Sequence, residues 1–382
     1  MQRSKRRVWF STAAIAFVVV VTFGVLAFAL PGAESEQSPP TGAGQRPTME
    51  IIAAGLDSPR KVTWDSKEGR LLVAEAGKSC GAGPENCFNK TGAIFTYKPG
   101  DERGKRIVTG LPQLTLHLGG RTEVIGVHEV TTQTIGGWGN DLVAAIGLGY
   151  TATAADRAGF GSDATPLGQI TRITESGQII PLGDLVIYEG LKNPDGIKVE
   201  CNPYGIVTDS TGVVVADAAA NAVMRVEYTG TVSVVDVPPR LQFKDKTIDS
   251  GPTGIVRGPD GAYYVGELTG VPFPVGGARV WRLAPGQGRE LVSSGFTNIL
   301  DLALDRKGRL LVLEMAQKGI LSGDVTGRLV RIESNGDHTV LASEGLVDPG
   351  GVDVAPNGDV YITNRTNGPN GQGELLRIRG IG

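Results

Sequence analysis

Five of six recurring segments in this chain end on a side chain with an oxygen to offer. They are Glu75, Asp217, Glu267, Glu314 and Asn364, each closing a mostly apolar segment. Hard oxygens at repeated positions suit two kinds of work. They can ring a cation or a sugar-like ligand, or they can accept backbone N–H bonds where a strand ends and shape the turn that follows. The second use is the commoner one at strand ends, and Ile146 in the second copy interrupts any complete ring.

Other chemistry is thinly provided. His117, His128 and His338 are scattered over separate segments, no Gly-x-Ser-x-Gly elbow occurs, and His128-Glu129 lacks the second His of a zinc helix. No nucleophilic triad, zinc site or quinone clamp is therefore expected, and the reading carries no cofactor and no metal. Of three cysteines, Cys80 and Cys87 flank Gly81-Ala82-Gly83-Pro84, a short loop able to bring both Cβ atoms within bonding range, so a disulfide is expected there. Cys201 reads as a small buried apolar residue, with a reactive thiol as the alternative.

The elements that must position these residues are strands. With 56 Gly and 22 Pro beside a 40% apolar share, the 382 residues suit many short strands joined by tight turns. The apolar segments begin at Leu71, Leu142, Val213, Tyr263, Leu310 and Val360, so successive copies lie 71, 71, 50, 47 and 50 residues apart. The later spacings are those of four strands plus turns, one propeller blade each. Turns such as Asp209-Ser210-Thr211-Gly212 and Pro356-Asn357-Gly358 precede these b strands, and basic-aliphatic c strands such as Met224-Arg225-Val226 follow them.

Only five outer d strands follow in order: Arg106 to Leu111, Gln178 to Leu182, Thr231 to Val237, Glu290 to Phe296 and His338 to Leu346. The sixth stands at the other end, because Met49 to Leu56 matches Thr339 to Leu346 in pattern. The fold class is accordingly all-β: a six-bladed β-propeller over residues 49–382 whose N-terminal strand completes the last blade, with Ile51 or Ile52 facing inward. An open β-solenoid would need no such split strand.

Ahead of the propeller, Arg3, Lys5, Arg6 and Arg7 precede Val8 to Leu30, which holds no charge and is long enough to cross a hydrocarbon layer of about 30 Å. Residues 1–30 read as a signal anchor, or as a signal peptide cleaved near Ala27-Phe28-Ala29. Residues 31–48 read as a flexible linker with a reach of roughly 25 Å. The expected location is the cell membrane with the propeller outside the cytoplasm, or secretion after cleavage. Without the four basic residues, 33 Lys and Arg face 40 Asp and Glu, a balance that excludes nucleic acid as a partner.

In an up-and-down propeller the b-to-c and d-to-a connections share one face. The long loops Cys80 to Lys90, Gly149 to Gly168, Thr269 to Gly277 and Gln317 to Thr326, and the Val186 to Asn202 excursion, all fall there. That face is the expected contact surface for an unknown small molecule or protein. Its candidate binding residues are Asn193, Asp195, Tyr204, Glu267, Phe273, Asn298 and Glu314. Asn193-Pro194-Asp195-Gly196 also reads as a plain turn, and Phe273, set between prolines, as either a recognition residue or a plug in the channel mouth.

Asn202-Pro203-Tyr204-Gly205, the run Gly266 to Gly276 (Gly-Glu-Leu-Thr-Gly-Val-Pro-Phe-Pro-Val-Gly) and Gly295-Phe296-Thr297-Asn298-Ile299-Leu300-Asp301-Leu302 resemble the ScyD/ScyE family from Met49 to Gly382. The resemblance implies a β-propeller and no established catalytic residues. Cys201 stands where that family is expected to carry Ser. A binding or interaction module is thus the leading reading. The alternative is a metal-dependent hydrolase or lactonase of the gluconolactonase-like type, which holds calcium in the channel on Asn, Asp and Glu at the starts of its a strands. The Pro-x-Gly pattern puts Arg60, Tyr204, Thr253, Leu300 and Gly350 at those positions here, with Glu123 near the start of blade two as the one acid.

Overall fold

The computed structural model describes residues 48–81, 86–118, 121–133, 138–149 and 153–381. The expected anchor and almost all of the linker lie outside these residues. Among the described residues no helix is long and apolar enough to cross a membrane.

Six antiparallel sheets follow one another as blades, each running from an inner strand a to an outer strand d. The a strands are Pro59–Asp65, Val127–Thr132, Pro203–Thr208, Pro252–Arg257, Ile299–Leu304 and Gly351–Val354. Each packs on the a strand of the next blade, and that of blade six packs on that of blade one, so together they line a central channel. The b strands Leu142–Ile146, Gly212–Asp217, Leu310–Glu314 and Val360–Asn364 are buried at every residue. Their unbroken apolar runs are what a strand covered on both faces requires.

The ring closes as the sequence pattern anticipates. Thr48–Leu56 pairs antiparallel with Gly373–Arg379, Met49 opposite Ile378 and Ile51 opposite Leu376. Ile52 packs on a cluster containing Leu56, Tyr361 and Leu375, whereas Ile51 faces solvent. Burying Leu56 alone is worth about 1.5–3 kcal/mol.

Blade one departs from the expectation. Its strand d is not a short segment ending at Leu111 but runs Lys105–Leu118 and turns back into a fifth strand, Arg121–Ile125. Glu123 therefore belongs to blade one's outer hairpin, and blade two begins at Val127. The extension holds the Cys80–Cys87 disulfide, which is formed, against Thr115.

Three insertions are structured where only loops were expected. Ala154–Gly159 (α1) lies in the b-to-c loop of blade two, and Leu185–Lys192 (α2) follows strand d of that blade. The Arg157 guanidinium donates to Asp184, the N-cap of α2, and to the Leu167 carbonyl, tying the two helices. A small hairpin, Leu241–Phe243 with Lys246–Ile248, fills the passage from blade three to blade four.

Candidate functional site

The a strands bring charge to the channel through an irregularity. In five of the six blades the a–b register slips near the strand start, for example between Pro203 and Gly205 and between Ile299 and Asp301. Such a bulge puts an extra residue on one strand and re-aims its side chain. Two successive positions thus serve the axis: first Arg60, His128, Tyr204, Thr253, Leu300 and Gly350, then Lys61, Glu129, Gly205, Gly254, Asp301 and Gly351.

Glycine at the second position is a matter of space. A Cβ on Gly205 would stand 2.9 Å from Lys61 Nζ and 2.2 Å from the Thr253 carbonyl, and one on Gly351 would stand 2.5 Å from the Lys61 Cα. The room left by glycine in three blades is filled by long or charged side chains from the other three.

Lys61 occupies that room. Its side chain is 1% exposed and its Nζ lies 2.6 Å from Asp301 Oδ1 and 3.5 Å from Glu129 Oε2, with the Tyr204 ring centroid 5.9 Å away. One ammonium therefore joins blades one, two and five. Burial, the largest single influence, pulls its pKa down, but Asp301 and Glu129 outweigh burial and hold it above the ordinary lysine value. It remains a cation and offers no free amine for nucleophilic work.

Each carboxylate also stitches blades. Glu129 Oε2 accepts the Ile206 N–H at 2.7 Å, Asp301 Oδ2 accepts that of Val352 at 2.9 Å, and Asp353 Oδ2 accepts that of Trp64 at 2.6 Å. Burial raises Glu129 to about 7 against the pull of Lys61, and it raises Asp301 as well.

His128 is buried in the channel wall. Its Nδ1 donates to the Pro203 carbonyl at 2.9 Å, and its ring lies 4.5 Å from that of Tyr204. Burial first, then the Arg60 charge, lowers its pKa to about 3, so the ring is neutral at physiological pH. The Tyr204 phenol is pushed up to about 12 by burial and keeps its proton.

Arg60 differs from its neighbours. It is 4% exposed, and its guanidinium donates to the Thr366 carbonyl at 3.0 Å, to Asn367 Oδ1 at 3.3 Å and to the Val124 carbonyl. All three of these acceptors are neutral. Beside it, Tyr204, Leu300 and Ala218 form an apolar patch with Leu268 and Met315 packed against them. Strand a begins on the b-to-c face, so this combination stands at the channel mouth there.

The strand-end oxygens form a separate, outer system. Glu75 accepts the Asp57 N–H at 2.7 Å and pairs with Arg106, while Glu314 accepts the Thr297 N–H and pairs with Arg328. Glu267 meets Arg279 and the Trp281 Nε1–H at 2.7 Å, and Asn364 accepts the Val347 N–H at 2.8 Å. Asp217 accepts the N–H groups of Asn202, Ala219 and Ala220, with burial raising it to about 6. These residues are buried; Glu75, Asp217, Glu314 and Asn364 clamp the link that enters strand a, and Glu267 ties strand b to strand c of its blade.

The remaining sequence-derived positions are spread across the same face. Asn298 donates to the Leu268 carbonyl and accepts the Ile320 N–H, holding the loops of blades four and five together. Phe273 is half-buried in the blade-four loop and is no member of the apolar patch at the mouth. Asn193 caps α2 in the left-handed region and Asp195 accepts from Asn221 at 2.8 Å. Close by, burial and the Asp217 charge push the Glu189 carboxyl up to about 8. Cys201 is buried, its thiol directed at Asp217, and burial raises its pKa. His117 meets Thr122 and His338 stacks on Phe296, both away from the axis.

No family model matches the chain, and no curated protein does. Solved structures do match. A gluconolactonase from Xanthomonas campestris, XC5397, superposes with a TM-score of 0.52 at 11% identity, covering 86% of this chain and 88% of that one. A luciferin-regenerating enzyme gives 0.51 at 10% identity over 88% and 96%. A structural genomics protein of unknown function from Bacteroides thetaiotaomicron gives 0.52 at 10% over 87% and 75%. The likeness is one of fold. It places this chain among β-propellers and leaves its chemistry to its own residues.

Those residues do not fit a channel calcium ion. Calcium takes six to eight oxygen ligands, whereas the first axial layer carries Arg60 and Leu300, and the second has Lys61 between its two carboxylates. Among the described residues no group of three His, Cys, Asp or Glu side chains is arranged for a metal. A concavity of about 740 Å³ opens on the opposite face between the a–b turns of blades four and five, beside Arg257 and Arg306. It is a shallow surface groove that none of the axial side chains reaches.

Proposed function

We propose that this β-propeller is a binding module that takes a small, partly apolar organic anion at the channel mouth on its b-to-c face. The carrying observation is Arg60, a buried guanidinium whose described partners are all neutral. A buried charge of that kind is costly until a counter-ion arrives, and an arriving carboxylate would meet a planar donor suited to it. Tyr204, Leu300, Leu268 and Met315 would cover the apolar body of the ligand. In this reading Asn298, Glu267 and Glu314 fix the loops, and Asn193, Asp195 and Phe273 stand on the outer rim.

Two described neighbours of Arg60 favour binding over turnover: Lys61 is held by its carboxylates and His128 is neutral. The ScyD/ScyE resemblance, which carries no catalytic residues, agrees with this reading. So does display outside the cytoplasm through residues 8–30, where a soluble ligand could be met.

One observation favours the hydrolase alternative: the Glu129 carboxyl, raised to about 7, titrates where a general base would be useful. The deciding experiment uses the full chain and a panel of aromatic and alicyclic carboxylates, each paired with its neutral methyl ester. Carboxylates are expected to raise Tm and to lose at least about tenfold in affinity, 1.4 kcal/mol, in Arg60→Met and in Tyr204→Ala. Equal binding of the esters, or their hydrolysis, would replace the binding reading with the enzymatic one.

A further inference from the structure

The Lys61, Glu129 and Asp301 cluster is not needed to hold a ligand at the mouth, yet it is a buried set of opposed charges on the axis. Three strands of three different blades converge on it. Two carboxylates bracket a single point, at 2.6 Å and 3.5 Å from Nζ. Glu129 also accepts the Ile206 N–H, and Asp301 those of Leu302 and Val352, so both are fixed in orientation. The Gly205 backbone leaves space for the ammonium, and no larger residue would.

A site that holds two oriented carboxylates around a point on a propeller axis is a cation site by its chemistry. Here the cation is covalently part of the chain. We propose that the Lys61 ammonium is the resident cation of this channel, that the native protein therefore needs no axial metal, and that removing the ammonium uncovers a latent divalent-cation site on Asp301 and Glu129.

The charge count supports the uncovering step. Two carboxyl groups face one ammonium, so removing Lys61 leaves two oriented oxygen donors aimed at an empty volume of side-chain size. A divalent ion would replace the lost positive charge where a water molecule would not. The occupied state also agrees with the neutral acceptors of Arg60, one residue earlier, since Asp301 and Glu129 are turned inward to Lys61. This inference does not depend on the identity of the ligand at the mouth.

The test compares the full-length protein with Lys61→Ser and Lys61→Ser/Asp301→Asn. After treatment with EDTA, each is titrated with Mn²⁺ or Ca²⁺ while Tm and the Mn²⁺ electron paramagnetic resonance signal are followed. The native protein is expected to show no change in Tm with EDTA or with either ion. Lys61→Ser is expected to melt lower and to recover several degrees on adding either ion, with Mn²⁺ becoming immobilised. The double variant should lose that recovery. A native protein that loses stability in EDTA and regains it with Ca²⁺ would overturn the proposal, as would a folded Lys61→Ser that ignores both ions. Should Lys61→Ser fail to fold, Glu129→Gln replaces it. An Mn²⁺ response present in the native protein and weakened in Glu129→Gln would overturn the proposal, and no response in either would uphold it.

Discussion

Two sets of buried carboxylates hold this propeller together, and they do so by opposite means. On the outer system each acid works within its own blade or the link entering it: Glu267 with Arg279, Glu314 with Arg328, Glu75 with Arg106. At the axis the partners come from distant parts of the chain, with Lys61 meeting Asp301 240 residues later. The outer acids recur because the blade recurs, whereas the axial charges occur once each. The difference teaches that in a repeat fold the shared positions build the frame, and the departures from the repeat show where the particular molecule does something of its own.

Breaking the axis should therefore cost more than breaking one clamp. Lys61→Met leaves Asp301 and Glu129 without a counter-charge and is expected to destabilise by about 3–5 kcal/mol, read as a lower urea midpoint at pH 7. Glu267→Gln keeps the shape of the clamp but weakens its bonds to Arg279 and Trp281, and is expected to cost about 1–3 kcal/mol by the same measurement. If Glu267→Gln proves the more damaging, the distinction between frame and axis fails.

A smaller effect sharpens the comparison through pH. The Glu129 carboxyl is raised from 4.5 to about 7 in the fold, and Asp353 from 3.8 to about 6, both chiefly by burial. The folded state then keeps protons that the unfolded chain has released. The stability they contribute is whole below their ordinary values and is lost as pH rises through about 6 to 7. Urea midpoints should accordingly fall between pH 4.5 and 7.5, and Glu129→Gln should flatten that slope. A midpoint that climbs with pH over this window would contradict the assignment.

The frame was legible because it repeats. Six apolar b strands, the Asp/Asn-x-Gly turns and the match of Met49 to Leu56 with Thr339 to Leu346 determine blade number and closure, and the Cys80–Cys87 pairing follows from a short flexible loop. The axial set was harder to read for a physical reason. A bulge makes two adjacent residues share one direction, so a search confined to the Pro-x-Gly centre finds Arg60 and Tyr204 and passes over Lys61, Glu129 and Asp301 one step later. The signal was nonetheless present, since Gly205, Gly254 and Gly351 mark the blades that give way and the charged residues sit at the same position in the others. By repeat spacing Glu123 falls near the start of blade two, because the extra strand Arg121–Ile125 lengthens blade one in a way that spacing cannot distinguish. Helices α1 and α2 are not legible in the sequence because eight residues or fewer carry too little periodicity to separate from a loop.

The closing strand also orders events in time. Thr48–Leu56 leaves the ribosome about 320 residues ahead of its partner Gly373–Arg379, which at about 5–20 residues per second is roughly 15–65 s. Throughout that interval it is a strand without a neighbour, the condition in which chains pair wrongly. Its composition suits the wait: Glu50 is charged, Gly55 breaks the strand's regularity, and of its nine residues only Leu56 ends fully buried. The ring can therefore latch only after the last blade exists, and a chain cut short before Gly373 is left open, with every preceding blade made and nothing to join the first to the last.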